Sequence, residues 1–226
     1  MFAAKGAIGT MHIYEGVLSA APYGREILAV GWGATAVGTA IGLRRIDIEQ
    51  IPRVAVLSAA FFVVSSIHIP LGVTAEHLTL TGLMGVILGW AAFPAVLAGL
   101  LLQAAIFGLG GPIVLGVNTL IMAGPAVVCG ILFRGPLGAA PRSAVAFWGF
   151  AAGASAVALA GLGNGLCLFL AGKQFELFGA IMAAFHLPLA VAEGLVTASM
   201  MVLVRQVRPD LLGALGPAGR MELSDG

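Results

Sequence analysis

SAVAFWGFAAGASAVALAGLGNGLCLFLA, residues Ser143 to Ala171, carries no charged side chain from end to end. A run of that length exceeds the roughly 20 apolar residues that take a helix across a hydrocarbon core of about 30 Å. Working outward from it, similar runs appear on both sides, and seven spans can be drawn. They are Ile27 to Leu43, Val54 to Ile67, Leu78 to Trp90, Ala92 to Phe107, Val117 to Phe133, Ser143 to Ala171 and Phe178 to Val204. The second and third are short for full crossings, so one end of each is expected in protein-lined space rather than lipid. Composition agrees: 60% of the 226 residues are apolar and 9% charged, with a mean hydropathy of +1.05. A soluble domain keeps roughly a quarter of its residues charged. The expected fold class is therefore an all-α integral membrane bundle of about seven transmembrane helices.

Charge placement gives an orientation. Arg44, Arg45, Arg53, Arg134, Arg142, Arg205, Arg208 and Arg220 fall in loops on the side of the C-terminus, and Lys5, Arg25 and Lys173 on the other. The excess of arginine marks the cytoplasmic side, so the C-terminus is expected inside and the N-terminus outside. The net charge of +1 gives no nucleic-acid footprint. Cys129 and Cys167 lie in apolar runs without partners at metal or disulfide spacing and read as small buried hydrophobes. No internal repeat is visible, which argues against an inverted-repeat secondary transporter. The segment after Arg208, rich in Pro and Gly, reads as a loose cytoplasmic tail within 206–226.

Chemistry concentrates in a few places. Met11-His12-Ile13-Tyr14-Glu15-Gly16 sets a histidine second if the chain starts at Met11. The α-amine, the His12 peptide nitrogen and its imidazole would then wrap a metal ion in fused rings, an in-plane nitrogen set suited to Ni(II). His77, in Thr74-Ala75-Glu76-His77-Leu78, is the candidate for the remaining imidazole, and His68, in His68-Ile69-Pro70, is a second candidate. All three are expected on the same outer face. Glycines 108, 110 and 111 mark a turn open to positive φ. Gln103 and Asn118 beside that turn, with Glu76, are expected to support the metal loop, or else to bond helices to one another. His186 and Glu193 lie two helical turns apart inside the last span, roughly on one face. An intramembrane carboxylate is costly and invites a role: holding a proton, pairing with a polar residue on another span, anchoring the pose of the helix, or touching the transported metal. Glycines 31, 38 and 42, and 149 and 153, let helices approach closely.

As an ordered set these motifs resemble CbiM and NikM, the substrate-specific subunits of energy-coupling-factor importers for cobalt and nickel. The resemblance rests on Met11-His12-Ile13-x-Glu15-Gly16, His68 to Leu78, Gln103 to Gly111, Leu115-Gly116-Val117-Asn118-Thr119, and His186-Leu187-Pro188 with Glu193-Gly194. It covers roughly residues 11–205 and implies the bundle of these subunits, with Co(2+) or Ni(2+) held at the outer face by Met11, His12 and His77. It implies a multi-pass protein of the bacterial cytoplasmic membrane that is not an enzyme. The implied partners are a CbiQ-like coupling subunit, CbiO-like ATPases and a small CbiN- or NikN-like membrane subunit. The chain has no Walker A pattern of its own, so energy is expected in trans. One departure is that residues 1–10 precede the family's start. They are read as an extension, with translation beginning at Met11, because a peptide bond at Met11 removes the α-amine donor. The alternative is a subunit of the same class for an organic vitamin, which would need a polar, aromatic cavity. An intramembrane zinc enzyme would need a His-Glu-x-x-His helix, which is absent.

Overall fold

The computed structural model describes residues 12–71 and 74–213. Met11, the expected extension 1–10, and residues 214–226 of the expected tail lie outside the described residues. A short helix α1 (Glu15–Ser19) leads into α2 (Gly24–Arg44) and α3 (Ile51–Ser65). A two-stranded antiparallel hairpin follows, β1 (Ile69–Leu71) with β2 (Thr74–Glu76), pairing Ile69 with Glu76. Then come α4 (Thr81–Leu88), α5 (Ala92–Phe107), α6 (Leu115–Ala139), α7 (Val145–Ala171), α8 (Glu176–Val207) and α9 (Pro209–Gly213). Among the described residues, four helices and the helical stretch Thr81–Phe107, which comprises α4 and α5, are long and apolar enough to cross a membrane, and Ile51–Ser65 is a shorter apolar helix. The chain is a multi-pass, all-α membrane protein.

The helices lie where the expected spans were drawn except at the third, and the second is a helix of only 15 residues. Leu78 to Trp90 is not one helix. Its helical part is α4, eight residues from Thr81 to Leu88, about 12 Å at 1.5 Å per residue. The chain then reverses at Gly89, whose φ of 57° and ψ of −124° end the helix. The neighbours fix the direction of both arms. Val86 and Ile87 bond to Arg134, which lies about 28 Å along α6 from Leu115. Gln103, on the returning α5, bonds back to Ser65 beside the hairpin. Thus α4 runs away from the histidines and α5 comes back toward them, with the first part of the third pass left irregular. Such backbone is tolerated at membrane depth only inside protein, and Thr79, Leu80 and Thr81 are all buried.

Close approach makes this arrangement possible. A Cβ on Gly85 would sit 1.9 Å from the Ala126 carbonyl oxygen, and one on Gly130 2.2 Å from that of Gly85. Helices α4 and α6 therefore touch backbone to backbone. Glycines 31, 38 and 42 seat α2 on Val117, Phe93 and Trp90 with Pro94 in the same way, so that stripe serves packing within the bundle. Helices α7 and α8 make the most extensive pairing, with Gly149 and Gly153 against Ala198, Met201 and Thr197. The core joins Phe61, Met84, Phe93, Val96 and Met122.

Arg44, Arg45, Arg53, Arg134, Arg142 and Arg205 fall at helix ends opposite the hairpin. Two of them close helix termini: Arg134 donates to Val86 and Ile87 at 2.6 and 2.7 Å, and Arg205 to the Ala140 carbonyl at 2.7 Å. The expected loose tail begins later than its sequence suggests. Helix α8 continues to Val207, and α9 buries Leu212 against Leu137 and Val145. Apolar burial, which Pro209 and the glycines obscure in the sequence, holds that turn in place.

Candidate metal centre

His12, His68 and His77 converge. They come from the segment before α1, the turn after α3 and the strand-like entry to α4, and their nearest ring nitrogens lie within 4.8 Å of one another. His77 is wholly buried and His12 is 4% exposed. Ring centroids are 5.1 Å apart for His12 and His77, 5.0 Å for His68 and His77, and 6.5 Å for His12 and His68. The Nε2 atoms of all three are buried without a hydrogen-bond partner.

Backbone contacts orient two of the rings. His68 Nδ1 faces the Ser66 carbonyl at 3.1 Å, and His77 Nδ1 the Leu78 carbonyl at 3.2 Å. A carbonyl can only accept, so each Nδ1 carries the proton and each Nε2 presents its lone pair. This is how imidazole ligands are set for a cation, the second ring nitrogen being held from behind. Burial first, then the nearby charge of His68, holds the His12 imidazole down to about 4. It is therefore neutral at pH 7, the state that binds metal. A buried nitrogen with no partner is expensive, and three histidines offering ring nitrogens within 4.8 Å of one another are a candidate cation site.

The amides flagged in the sequence sit around this cluster. Asn118, one turn into α6, clamps the backbone next to His12: its Oδ1 accepts from the Ile13 N–H and its Nδ2 donates to the Ile13 carbonyl, both at 3.0 Å. Gln103 donates to Ser65 Oγ at 2.6 Å, and so ties α5 to the end of α3 just before His68. Glu76 is buried at the end of β2, adjacent to His77. Gly108, Gly110 and Gly111 all have positive φ, and a Cβ on Gly110 would approach Asn118 Nδ2 at 3.1 Å. Glu15, given no role in the sequence reading, accepts from the Ile113 N–H at 2.7 Å and ties α1 to the same turn. Its place inside the Met11–Gly16 motif was the only signal.

Glu193 and His186 lie deeper. Glu193 Oε1 accepts from the backbone N–H groups of Thr79 and of Leu80, the latter at 2.8 Å. His186 Nδ1 faces the Met182 carbonyl at 2.7 Å, within its own helix. Thus α4 has a carboxylate at its N-terminus and the Arg134 guanidinium at its C-terminus, the two charges its dipole favours.

Three histidines gathered at one end of a membrane bundle make a candidate site for a divalent cation. The chain belongs to the CbiM family, the cobalt uptake substrate-specific transmembrane region, which matches residues 12–211. A Haemophilus influenzae protein named for a proposed role in metal transport is 37% identical over 206 residues, covering 89% of this chain and 97% of that one. The fused nickel transport protein NikMN of Rhodobacter capsulatus is 36% identical, over 89% of this chain and 64% of its own length. A crystal structure of a transition metal transporter shares the fold at a TM-score of 0.66 with 23% identity, covering 87% of this chain and 93% of that one.

The clamp on Ile13 predicts that Asn118→Ala weakens nickel and cobalt binding by about 10- to 100-fold, the range for losing an outer-shell support. Equilibrium dialysis of the purified variant checks this, and an unchanged affinity would remove Asn118 from the site.

Proposed function

We propose that this chain is the cargo-binding subunit of an energy-coupling-factor importer for divalent cobalt or nickel. The observation that carries the reading is the set of three buried, unpartnered Nε2 atoms in a CbiM-family bundle. His12 and His77 hold the ion, with His68 beside them. Asn118, Gln103 and Glu76 shape the surrounding loop. A free α-amine at Met11 is the further donor proposed from the sequence. The ion is cargo, and the chain catalyses no reaction. Energy comes from CbiO-like ATPases through a CbiQ-like coupling subunit. The fused relative from Rhodobacter capsulatus supports a small N-type membrane subunit as well.

The helix-end arginines opposite the cluster support an orientation with the histidines on the outer face of the cytoplasmic membrane. Scavenged ions arrive at that face. The vitamin alternative, which needs a polar and aromatic cavity, loses ground because the cavity of about 690 Å³ between α2, α6 and α7 is lined almost wholly by aliphatic side chains, and the cavity beside His12 holds only about 10 Å³, room for about one water.

The test is accumulation. Cells without their own nickel and cobalt importers, expressing this chain with its coupling subunit and ATPases, are expected to take up either ion well above cells lacking the chain. Elemental analysis of washed cells reads the result. Accumulation equal to the chain-free control would sink the importer reading.

A further inference from the structure

None of the three histidines lines the cavity of about 690 Å³ between α2, α6 and α7. It opens because α2 parts from α7: Gly31 seats α2 on Val117 of α6, and Gly38 then seats it on Phe93 of α5. The lining runs from Val117 to Val128 on α6 and from Leu159 to Leu170 on α7, each about 16 Å at 1.5 Å per residue. Val117 lies near the start of α6 and Leu170 near the end of α7. Both stretches therefore begin at the histidine end and stop near mid-membrane. A hydrocarbon core is about 30 Å thick, so the cavity is one leaflet deep.

Two glycines keep it open. A Cβ on Gly163 would meet nothing closer than Ile121 at 3.8 Å, and one on Gly124 nothing closer than Leu120 at 3.6 Å. The packing glycines of the bundle are different: a Cβ on Gly31 or Gly153 would run into the facing helix at 2.4 or 2.6 Å. Glycine inside a helix is destabilising relative to alanine. Gly163 and Gly124 gain no close helix approach in exchange, and what they leave is space.

Depth and lining identify the occupant. The volume falls within the roughly 300–1,000 Å³ of small-molecule pockets, which orient a polar ligand through a few placed polar groups. Apart from Cys167, the polar side chains lining this cavity among the described residues are Tyr23 and Glu26, at the start of α2. Everything deeper offers contact to hydrocarbon. A partner's transmembrane helix would need a groove across the whole core of about 30 Å, twice the depth present, whereas an acyl chain spans one leaflet. Tyrosine favours the membrane interface, which sets Tyr23 and Glu26 at headgroup level.

We infer that this groove holds one acyl chain of a phospholipid from the leaflet on the histidine side, its headgroup beside Tyr23 and Glu26. The lipid chain fills the gap between α2 and α7 that side chains leave empty.

The test uses the purified full chain in vesicles of phosphatidylethanolamine and phosphatidylglycerol carrying a trace of phospholipid with a photoreactive diazirine in its acyl chain. Irradiation and peptide mapping are expected to find cross-links within 117–128 and 159–170 at least about fivefold above those on α3 or α8, equivalent to about 1 kcal/mol of preferential binding. Gly163→Leu and Gly124→Leu, which fill the space, are expected to remove that excess while the elution profile on gel filtration stays unchanged. Gly33→Leu is the control: a Cβ there meets nothing within 4 Å, and the added bulk lies on an exposed part of α2 outside the groove, so the cross-links should stay where they are. Cross-links spread evenly over the lipid-facing helices of the unsubstituted chain would overturn the inference, however the variants fold. Groove cross-links that vanish when a small N-type membrane subunit is reconstituted alongside would assign the groove to a partner helix and overturn it as well. Neither result touches the metal-binding reading.

Discussion

Replacing His77 with alanine is expected to abolish measurable nickel and cobalt binding, an affinity loss of at least about 100-fold. His77 is the ring nearest both others, at 5.1 and 5.0 Å, so its removal leaves only His12 and His68, 6.5 Å apart. Losing an outer-shell support alone typically weakens a site 10- to 100-fold, and a directly bound imidazole is worth more. Two features argue that the loss would reach the site and leave the fold intact. His77 Nδ1 bonds only to the neighbouring Leu78 carbonyl, so no long-range tie goes with the ring. Its Nε2 has no partner, so the substitution removes one uncompensated polar atom and frees only the Leu78 carbonyl. The variant is therefore expected to keep its melting temperature in detergent, within a few degrees, without added metal. Isothermal titration of the purified subunit reads binding. Undiminished nickel and cobalt binding would refute the site.

That ring was legible in the sequence because a histidine beside an apolar run has few neighbours to explain it. The apparent convergence of His12, His68 and His77 followed from counting spans. The half-helix was not legible. Leu78 to Trp90 is apolar throughout, so nothing in its own pattern says where helix begins. The start at Thr81 is set by a carboxylate more than a hundred positions away, through bonds from Glu193 to Thr79 and Leu80. The reversal at Gly89 was likewise hidden among glycines that serve packing. Asn118 and Gln103 stood out as amides in apolar runs, but their partners are a backbone peptide at Ile13 and a hydroxyl at Ser65. Such pairs leave no mark in spacing. Glu193 itself was conspicuous as a membrane-depth carboxylate, and its hydrogen-bond partners are the Thr79 and Leu80 N–H groups at the entry to α4. What the sequence lacked was the identity of those partners, which are main chain and have no side-chain signature.

Glu193 is where the second large effect is expected. Glu193→Ala should lower the stability of the subunit by about 3 kcal/mol, the scale for leaving two buried N–H donors unsatisfied at about 1–3 kcal/mol each. The affected groups are specific: two N–H groups at the start of α4, Thr79 and Leu80, are left inside the bundle, where water cannot replace the carboxylate. Leu80 also has φ of 54°, a left-handed conformation that is unfavourable for a branched side chain and persists only while something holds it. Glu193 bonds that very N–H, through Oε1 at 2.8 Å and Oε2 at 3.1 Å. Without the carboxylate, the segment from His77 to Thr81 is expected to loosen, and metal affinity should fall with it although Glu193 touches no imidazole. Glu193→Gln separates the parts of this argument. Its amide oxygen can still accept from one or both N–H groups, while its NH₂ offers a donor where only donors are present. It should therefore lose less than the alanine variant in both stability and affinity. Thermal unfolding in detergent, without metal, gives the first quantity and nickel titration the second. If Glu193→Ala melts at the wild-type temperature, the carboxylate does not hold α4. If it melts lower but binds nickel as tightly as before, the entry to α4 does not position His77.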